Sequence, residues 1–495
     1  MSEHYGLAAA GEPHVRRTDP LDAVVVVIAI GCWVVALPVG GVLWMVSASS
    51  AVLGSAVLAR RAGRRVWAWT LVAIVVIVGV AVHAGLQRST ARPDVGPFAG
   101  WAVVVDDPQP FGAATRVILG VDGRRYEMWA RGRAARLRVE GWEAGDLVAV
   151  SGTRTELAGL RHERVAWQHV VGAFEPEWLG DRVPGSPLSR ASNRVRDLVS
   201  SASSALAHPD DTLFTGLVIG DDRDQPPEML DRFRRTGLSH LTAVSGQNVT
   251  LILMAMAPAL ALIPGRSRSA ITVMVIAWFV VITRLEPSIL RAGVMAALAV
   301  VARAGGREGS PLRMLALAVC MLIAIDPMLA GSVGFQLSVG ATAGVVTIGP
   351  HLAERLHRLG PLASPLGVTL GAQIGVLLPS AITFGRLPLT GIGANLLAVP
   401  VAGAVMLLGL PLSLAAALAP PLRSALMFPM RLGVRWVDSV ALLADRLEPS
   451  DAAIGWWAHG GFVAAAGLVA GWRHVRRRRV LDTEGDGHLP PHRRR

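Results

Sequence analysis

Lysine is absent from this chain of 495 residues, so all 48 basic residues are Arg. The bias reads first as GC-rich codon usage and only then as chemistry, but it excludes a lysine nucleophile and a Walker-type phosphate loop. Cysteine is almost absent. Cys32 and Cys320 lie in apolar runs far apart in the chain and predict neither a disulfide nor a metal site. The 13 His are scattered, without a His-x-His-x-Asp-His cluster, so a dinuclear metal nuclease is not expected and no cofactor is implied. Charged residues make up only 17% of the chain.

What is present is hydrocarbon. The chain is 52% hydrophobic, with a mean hydropathy of +0.46, which excludes an ordinary soluble protein. Apolar runs recur from Ala23 to Leu37, Val39 to Leu58, Val66 to Val82, Ala270 to Thr283, Leu312 to Ile325, Leu366 to Ile382 and Leu396 to Leu418. Since about 20 residues cross the hydrocarbon core, they predict a polytopic α-helical membrane protein of roughly ten to twelve transmembrane helices. The long run from Thr390 to Leu418 contains Pro400 and Pro411 and predicts two spans or a broken one. The segment from Ser424 to Leu447 fits a span or a surface helix. The net charge of +12 gathers around Arg60 to Arg65, in Arg232 to Arg235 and in the tail from Arg473, where topology by the positive-inside rule is the first reading.

Residues 1–87 read as an N-terminal membrane segment of three helices behind a cytoplasmic tail. Between 88 and 182, long apolar runs give way to short β-branched ones punctuated by Gly and Pro. Strands are expected over Trp101 to Val105, Ala114 to Val121, Arg125 to Ala130, Asp146 to Thr153 and Arg164 to Phe174, with a hairpin at Asp122-Gly123. Five short strands suggest an extracytoplasmic all-β domain resembling an OB fold. Trp101, Tyr126 and Trp129 beside Arg124 and Arg131 suit stacking on single-stranded nucleic acid, although filling the core is the commoner role of such rings. Residues 183–212 form a linker and an amphipathic helix, 213–472 a second membrane block, and 473–495 a basic cytoplasmic tail.

Polar side chains inside apolar stretches need partners and mark candidate sites. In the second block these are His240, Ser245, Gln247, Asn248, Gln336, Ser338, Thr342, Gln373 and Asn395. Arg291 lies about one turn after Pro287, where its planar fork suits a phosphate, an ion pair with Glu286 or snorkelling to the interface. Arg234 and Arg235 precede the polar segment and suit either the mouth of a passage or interface anchoring. An intramembrane hydrolase with Ser245 as nucleophile and His240 as base is disfavoured, because position 243 is Ala and no Gly-x-Ser-x-Gly elbow exists. A transporter of ions or small solutes on broken helices remains an alternative.

Several segments of this block taken together resemble the ComEC family of competence proteins. They are Thr215 to Asp221, Phe233 to Leu241 with Ala243 to Gly246, Pro287 to Met295, Asp326-Pro327, Gly334 to Gly344, and Asn395 to Pro400. The resemblance implies an inner-membrane, multi-pass channel that passes single-stranded DNA into the cytoplasm, rather than an enzyme. It also implies an outer OB-like domain, a lipid bilayer setting, a cytoplasmic helicase-like motor, an extracytoplasmic DNA receptor and a separate nuclease. On this resemblance His240, Ser245, Gln247, Asn248, Arg291, Gln336, Ser338 and Asn395 line the path, and Arg234 and Arg235 guard its mouth. Two departures stand out. Gln247 replaces the His that many relatives carry two positions beyond the Ser, and the metallo-β-lactamase-like domain of longer members is not expected here.

Overall fold

The structure is a computed structural model that describes residues 20–37, 41–61, 66–157, 159–242, 245–307, 309–385 and 388–449. The expected tail over 473–495 lies outside these described residues.

Three apolar helices come first, α1 (Pro20–Ala36), α2 (Gly41–Arg61) and α3 (Val66–Thr90). The β region follows with β1 (Gly96–Val104), β2 (Gln109–Phe111), β3 (Ala114–Val121), β4 (Arg124–Arg131), α4 (Arg133–Glu140), β5 (Leu147–Glu156), α5 (Gly159–Val165) and β6 (Val170–Val183). Then come α6 (Pro187–Ser203), α7 (Asp210–Ile219), α8 (Pro227–Arg235), α9 (Ser239–Thr242), α10 (Gly246–Ala261), α11 (Gly265–Ile282), α12 (Pro287–Ala304), α13 (Pro311–Ile325) and α14 (Val333–Thr347). The last described helices are α15 (Gly349–Arg355), α16 (Ala363–Phe384), α17 (Gly391–Leu418) and α18 (Arg423–Leu447).

Chain compactness groups these elements into two units, one of residues 1–197 with 245–347, the other of 198–244 with 348–495. Among the described residues, four helices are long and apolar enough to cross a membrane, or up to five if a bent pair is one span. Five more apolar helices are shorter, at 10–17 residues. Among the described residues, ten spans are reached only if the bent pair and every shorter helix cross.

In the first unit, α1 to α3 pack with α13 and the start of α14 around Val24, Ile28, Cys32, Ile77, Ile323 and Phe335. The two cysteines thus meet one core, Cys32 buried in it and Cys320 at its edge, and both are free.

The β region of the same unit closes on itself. β1 pairs with β3, β3 with β4, β4 with β6, β6 with β5 and β5 with β1, and every pairing is antiparallel except β4 with β6. A closed ring leaves few strand edges exposed. Its core holds Val104, Leu119, Tyr126, Met128, Trp142 and Phe174. The expected hairpin forms as predicted, with Val121 opposite Arg124 and both turn residues at positive φ, Asp122 at 49° and Gly123 at 77°. Two expectations are corrected. Residues from Arg164 to Gln168 are helical, so the last strand starts at Val170, and it runs on to Val183. The helix α4 after the third long strand was not anticipated.

In the second unit α17 is one continuous helix of 28 residues, which corrects the expected break. Pro400 and Pro411 both face outward, while Ala398, Ala402, Val405, Gly409 and Ala416 are buried, so each ring takes its missing hydrogen bond on the exposed side. Helix α18 is amphipathic: Met427, Met430, Val434, Val437, Ala441 and Ala444 form its buried seam, at alternating three- and four-residue steps.

Candidate functional site

In the first unit the polar cluster is built by three helices. Ser245 precedes α10, and Asn248 Oδ1 accepts hydrogen bonds from its backbone N–H at 3.3 Å and its Oγ at 3.1 Å. Asn248 therefore secures the start of α10, and Gln247 beside it is exposed. Arg291 on α12 is only 4% exposed. Its Nε donates to Ser338 Oγ on α14 at 2.9 Å, and its Nη1 lies 3.7 Å from Met295 Sδ. Ser338 Oγ also lies 3.0 Å from Ser288 Oγ. Arg291 thus meets a hydroxyl and a thioether, and no carboxylate among the described residues lies within ion-pair distance. Gln336 and Thr342 are satisfied locally, Gln336 Nε2 donating to Ala330 O at 3.0 Å and Thr342 Oγ1 to Ser338 O at 2.8 Å. Ser288 was not singled out from the sequence, although its place three residues before Arg291 puts both on one helix face.

The second unit holds His240, Arg234, Arg235, Gln373 and Asn395. Arg235 forks onto Asp445, with Nε to Oδ1 at 2.7 Å and Nη2 to Oδ2 at 2.9 Å. Arg232 pairs with Asp438, and Arg234 is exposed with Asp231 at 3.2 Å. Of the arginines expected at a mouth, then, Arg234 presents its charge outward and Arg235 is occupied. His240 is exposed, its Nδ1 lying 3.1 Å from Gly237 O. The side-chain carbonyl oxygens of Gln373 and Asn395 are buried and accept no hydrogen bond from the described residues. Uncompensated buried amides are costly, so these two oxygens are the ones in this set with an acceptor left to fill.

On the β ring the expected stacking residues separate. Tyr126 is fully buried, and its hydroxyl accepts from Asp94 N at 3.0 Å, so it belongs to the core. Trp129 is half-buried against Phe111, ring centroids 5.8 Å apart, with the Arg161 guanidinium 5.5 Å over its ring. Arg124 is paired with Asp94 at 3.1 Å, whereas Arg131 is exposed. Trp101 is 53% exposed and Trp178, missed from sequence, is 55% exposed, with Ser151 between their strands. Trp101, Trp178 and Arg131 are therefore the surface groups open to a ligand, whereas both Phe111 and Arg161 cover Trp129.

Beneath Trp129, burial pushes the Glu127 carboxyl up. The hydrogen bonds of Trp129 and Arg116, with the charges of Arg116 and Arg161, outweigh that effect and hold it below the ordinary range. Burial and the neighbouring Asp197 and Asp146 push Glu143 the other way, upward. Among the described residues no group of three or more His, Cys, Asp or Glu side chains is placed to hold a metal ion.

Apolar helices of spanning length, a β ring and polar groups held within helical packing describe a mostly helical protein with several candidate membrane-spanning helices and an added β domain. The chain belongs to the competence protein family: the family model described as Competence protein matches residues 217–479. It is also similar to ComE operon protein 3 of Bacillus subtilis (strain 168), 24% identical over 210 residues, which are 42% of this chain and 26% of that protein. The aligned part thus spans about a quarter of the length of that curated relative. No solved structure matches.

Proposed function

We propose that this chain forms an inner-membrane path by which one strand of DNA enters the cytoplasm during natural transformation. On this reading residues 88–182 are an extracytoplasmic OB-like domain, 183–212 link it to the membrane, and 213–472 form the passage. The observation that carries the reading is the family match over 217–479, which contains Asn248, Arg291, Ser338 and Asn395.

Physical chemistry supports it. A polyanion cannot cross bare hydrocarbon and needs polar groups at membrane depth. Arg291 with Ser338, and the oxygens of Gln373 and Asn395 that accept no hydrogen bond from the described residues, are such groups. The order of the closed strands, with one parallel pair and a helix between the third and fourth long strands, supports an OB-like reading of the β ring. Exposed Trp101 and Trp178 then offer stacking platforms. Partners on this reading are single-stranded DNA, the lipid bilayer, a helicase-like motor, an outer DNA receptor and a separate nuclease.

The test is to delete the gene in its host and follow labelled DNA into the cytoplasm, then complement with the wild-type, Asn248→Ala and Arg291→Ala chains. Uptake lost on deletion, restored by the wild-type chain and reduced in the variants is the expected result. Uptake that survives deletion overturns the reading.

A further inference from the structure

We infer that α18 crosses the membrane beside α17 and that Arg431 and Arg435, on its charged face, form a hydrated site for phosphodiester groups at membrane depth. The choice of the passing strand as their source rests on the reading above.

The two helices lie side by side from end to end. A short turn at Pro420–Leu422 reverses the chain between them. A Cβ built on Gly433 of α18 would lie 2.5 Å from Val405 and 3.6 Å from Val401 of α17. Further along, Trp436 Nε1 donates to Leu397 O at 2.9 Å. At the far end the Glu448 carboxylate accepts from the N–H groups of Leu389 and Thr390 at 3.0 and 2.9 Å. Helix α17 is one of those long and apolar enough to cross. The 25 residues of α18 extend about 37 Å, more than a hydrocarbon core of about 30 Å. Any path that takes α17 through the bilayer therefore takes α18 with it.

Three faces run along α18. Beside the buried seam, Phe428, Leu432, Trp436, Leu443 and Leu447 form an exposed apolar stripe that suits lipid. Arg431, Arg435, Asp438 and Asp445 share the remaining face, at steps of four, three and seven residues. Its two acids are taken, Asp438 by Arg232 and Asp445 by Arg235, both from α8. Arg435 Nε donates to Asp210 Oδ2 of α7 at 2.8 Å, and its Nη groups donate to no acceptor among the described residues. Arg431 has neither a hydrogen bond nor an ion pair among them, only the Phe428 ring 5.2 Å from its guanidinium carbon.

Arg431 and Arg435 lie about 12 and 18 Å from the start of α18, so Arg435 sits near mid-depth, beyond the reach of snorkelling. A charge at that depth is costly against lipid and is found where protein or water surrounds it. Protein does not seal this one, because the Arg435 side chain is 57% exposed. Water therefore has to reach the charged face. With the acids of that face occupied, the open donors of the two arginines are left for an anion. A phosphodiester brings one charge and two free oxygens, which match the planar fork of a guanidinium.

The test uses the full chain in phosphatidylcholine vesicles, with labelling of its own two cysteines measured as background. Ser424→Cys and Arg446→Cys, in the first and last turns of α18, are expected to react with a membrane-impermeant methanethiosulfonate from opposite sides. Arg431→Cys and Arg435→Cys are expected to react about tenfold faster than Leu432→Cys and Leu443→Cys on the apolar stripe. A short oligothymidylate is expected to bind about tenfold more weakly to Arg431→Gln, a loss of about 1.4 kcal/mol, with no such loss for its uncharged methylphosphonate counterpart. Substitution of Arg431 breaks no ion pair, so its variants decide the matter if Arg435→Cys fails to fold.

Reaction of Ser424→Cys and Arg446→Cys from one side overturns the crossing, and equal reactivity on the two stripes overturns the hydrated face. Unchanged oligothymidylate binding in Arg431→Gln overturns the site. Labelling of Arg435→Cys that slows when phosphatidylglycerol replaces phosphatidylcholine, but not when oligothymidylate is added, makes the phosphodiester a lipid headgroup and overturns the strand. If Arg431→Gln weakens oligothymidylate binding while uptake survives gene deletion, the site stands and the transport reading falls.

Discussion

Asp107 and Arg284, 177 residues apart in sequence, are joined by two hydrogen bonds, Nε to Oδ2 at 3.0 Å and Nη2 to Oδ1 at 2.8 Å. Arg196 Nη2 also donates to Asp107 Oδ2 at 3.0 Å, and the Ala144 N–H donates to Oδ1 at 2.9 Å. One carboxylate therefore ties the β ring to α6 and to the loop after α11. Removing it takes this carboxylate from buried Arg196 and half-buried Arg284, and Asp107→Ala is expected to destabilise the first unit by about 3–5 kcal/mol. Chemical denaturation of the purified chain checks this, and a loss under about 1 kcal/mol would show that the strut is dispensable.

Ser338 serves Arg291 and Ser288 at once. Ser338→Ala is expected to cost about 1–3 kcal/mol, since it leaves a charged donor buried without its acceptor, whereas Ser288→Ala keeps the Arg291 bond and should cost less. The ranking of the two midpoints decides.

Two tryptophans of the β ring predict opposite phenotypes. Trp142 is in the core, and Trp142→Ala is expected to cost about 3–5 kcal/mol. Trp101→Ala should change stability by less than about 0.5 kcal/mol yet weaken single-strand binding by about 1–3 kcal/mol. Stability and filter-binding measurements on the same preparations test both, and a destabilised Trp101→Ala chain with unaltered binding contradicts the assignment.

Acid should weaken the β ring through Glu127 and relieve it through Glu143. The Glu127 pKa is lowered in the fold, so its contribution is complete above the ordinary carboxylate range and fades as pH falls through the folded value. Glu143 has a raised pKa, so its ionisation opposes folding at neutral pH and protonation removes that opposition first. Glu127→Gln is expected to flatten the acid-side loss, and Glu143→Gln to raise stability near pH 7. Unfolding midpoints over a pH series check the signs.

Much of the β ring was legible in the sequence because its signals are local. The Asp122-Gly123 turn and the short apolar run from Val117 to Leu119 that follows Thr115 and Arg116 need no distant partner. The segment from Arg164 to Gln168 has a single β-branched residue, Val165, and is too short to display either period, and α4, at eight residues, shows only about two helical turns. Tyr126 shows the limit most plainly. Its ring type suggested stacking, and only strand register places it with Met128 and Ala130 on the inner face. The second block's polar residues were visible one by one, but which of them meet was not. Ser338 reaches Arg291 across 47 positions, whereas the nearer Glu286 is exposed as the residue preceding α12.

His169, held at a left-handed φ of 59° in the β ring, places Nε2 2.9 Å from Asp326 Oδ2, and the other oxygen of Asp326 accepts from Met328 N at 3.0 Å. The 3-10 turn from Pro327 to Gly331 is in turn gripped by Gln336, a residue of α14. The ring is thereby geared to the helix that carries Ser338, so any tilt of the barrel should be delivered to the arginine's hydroxyl partner. Paired spin labels on the ring and α14 should keep a fixed separation in the native chain and acquire a broadened one in His169→Ala.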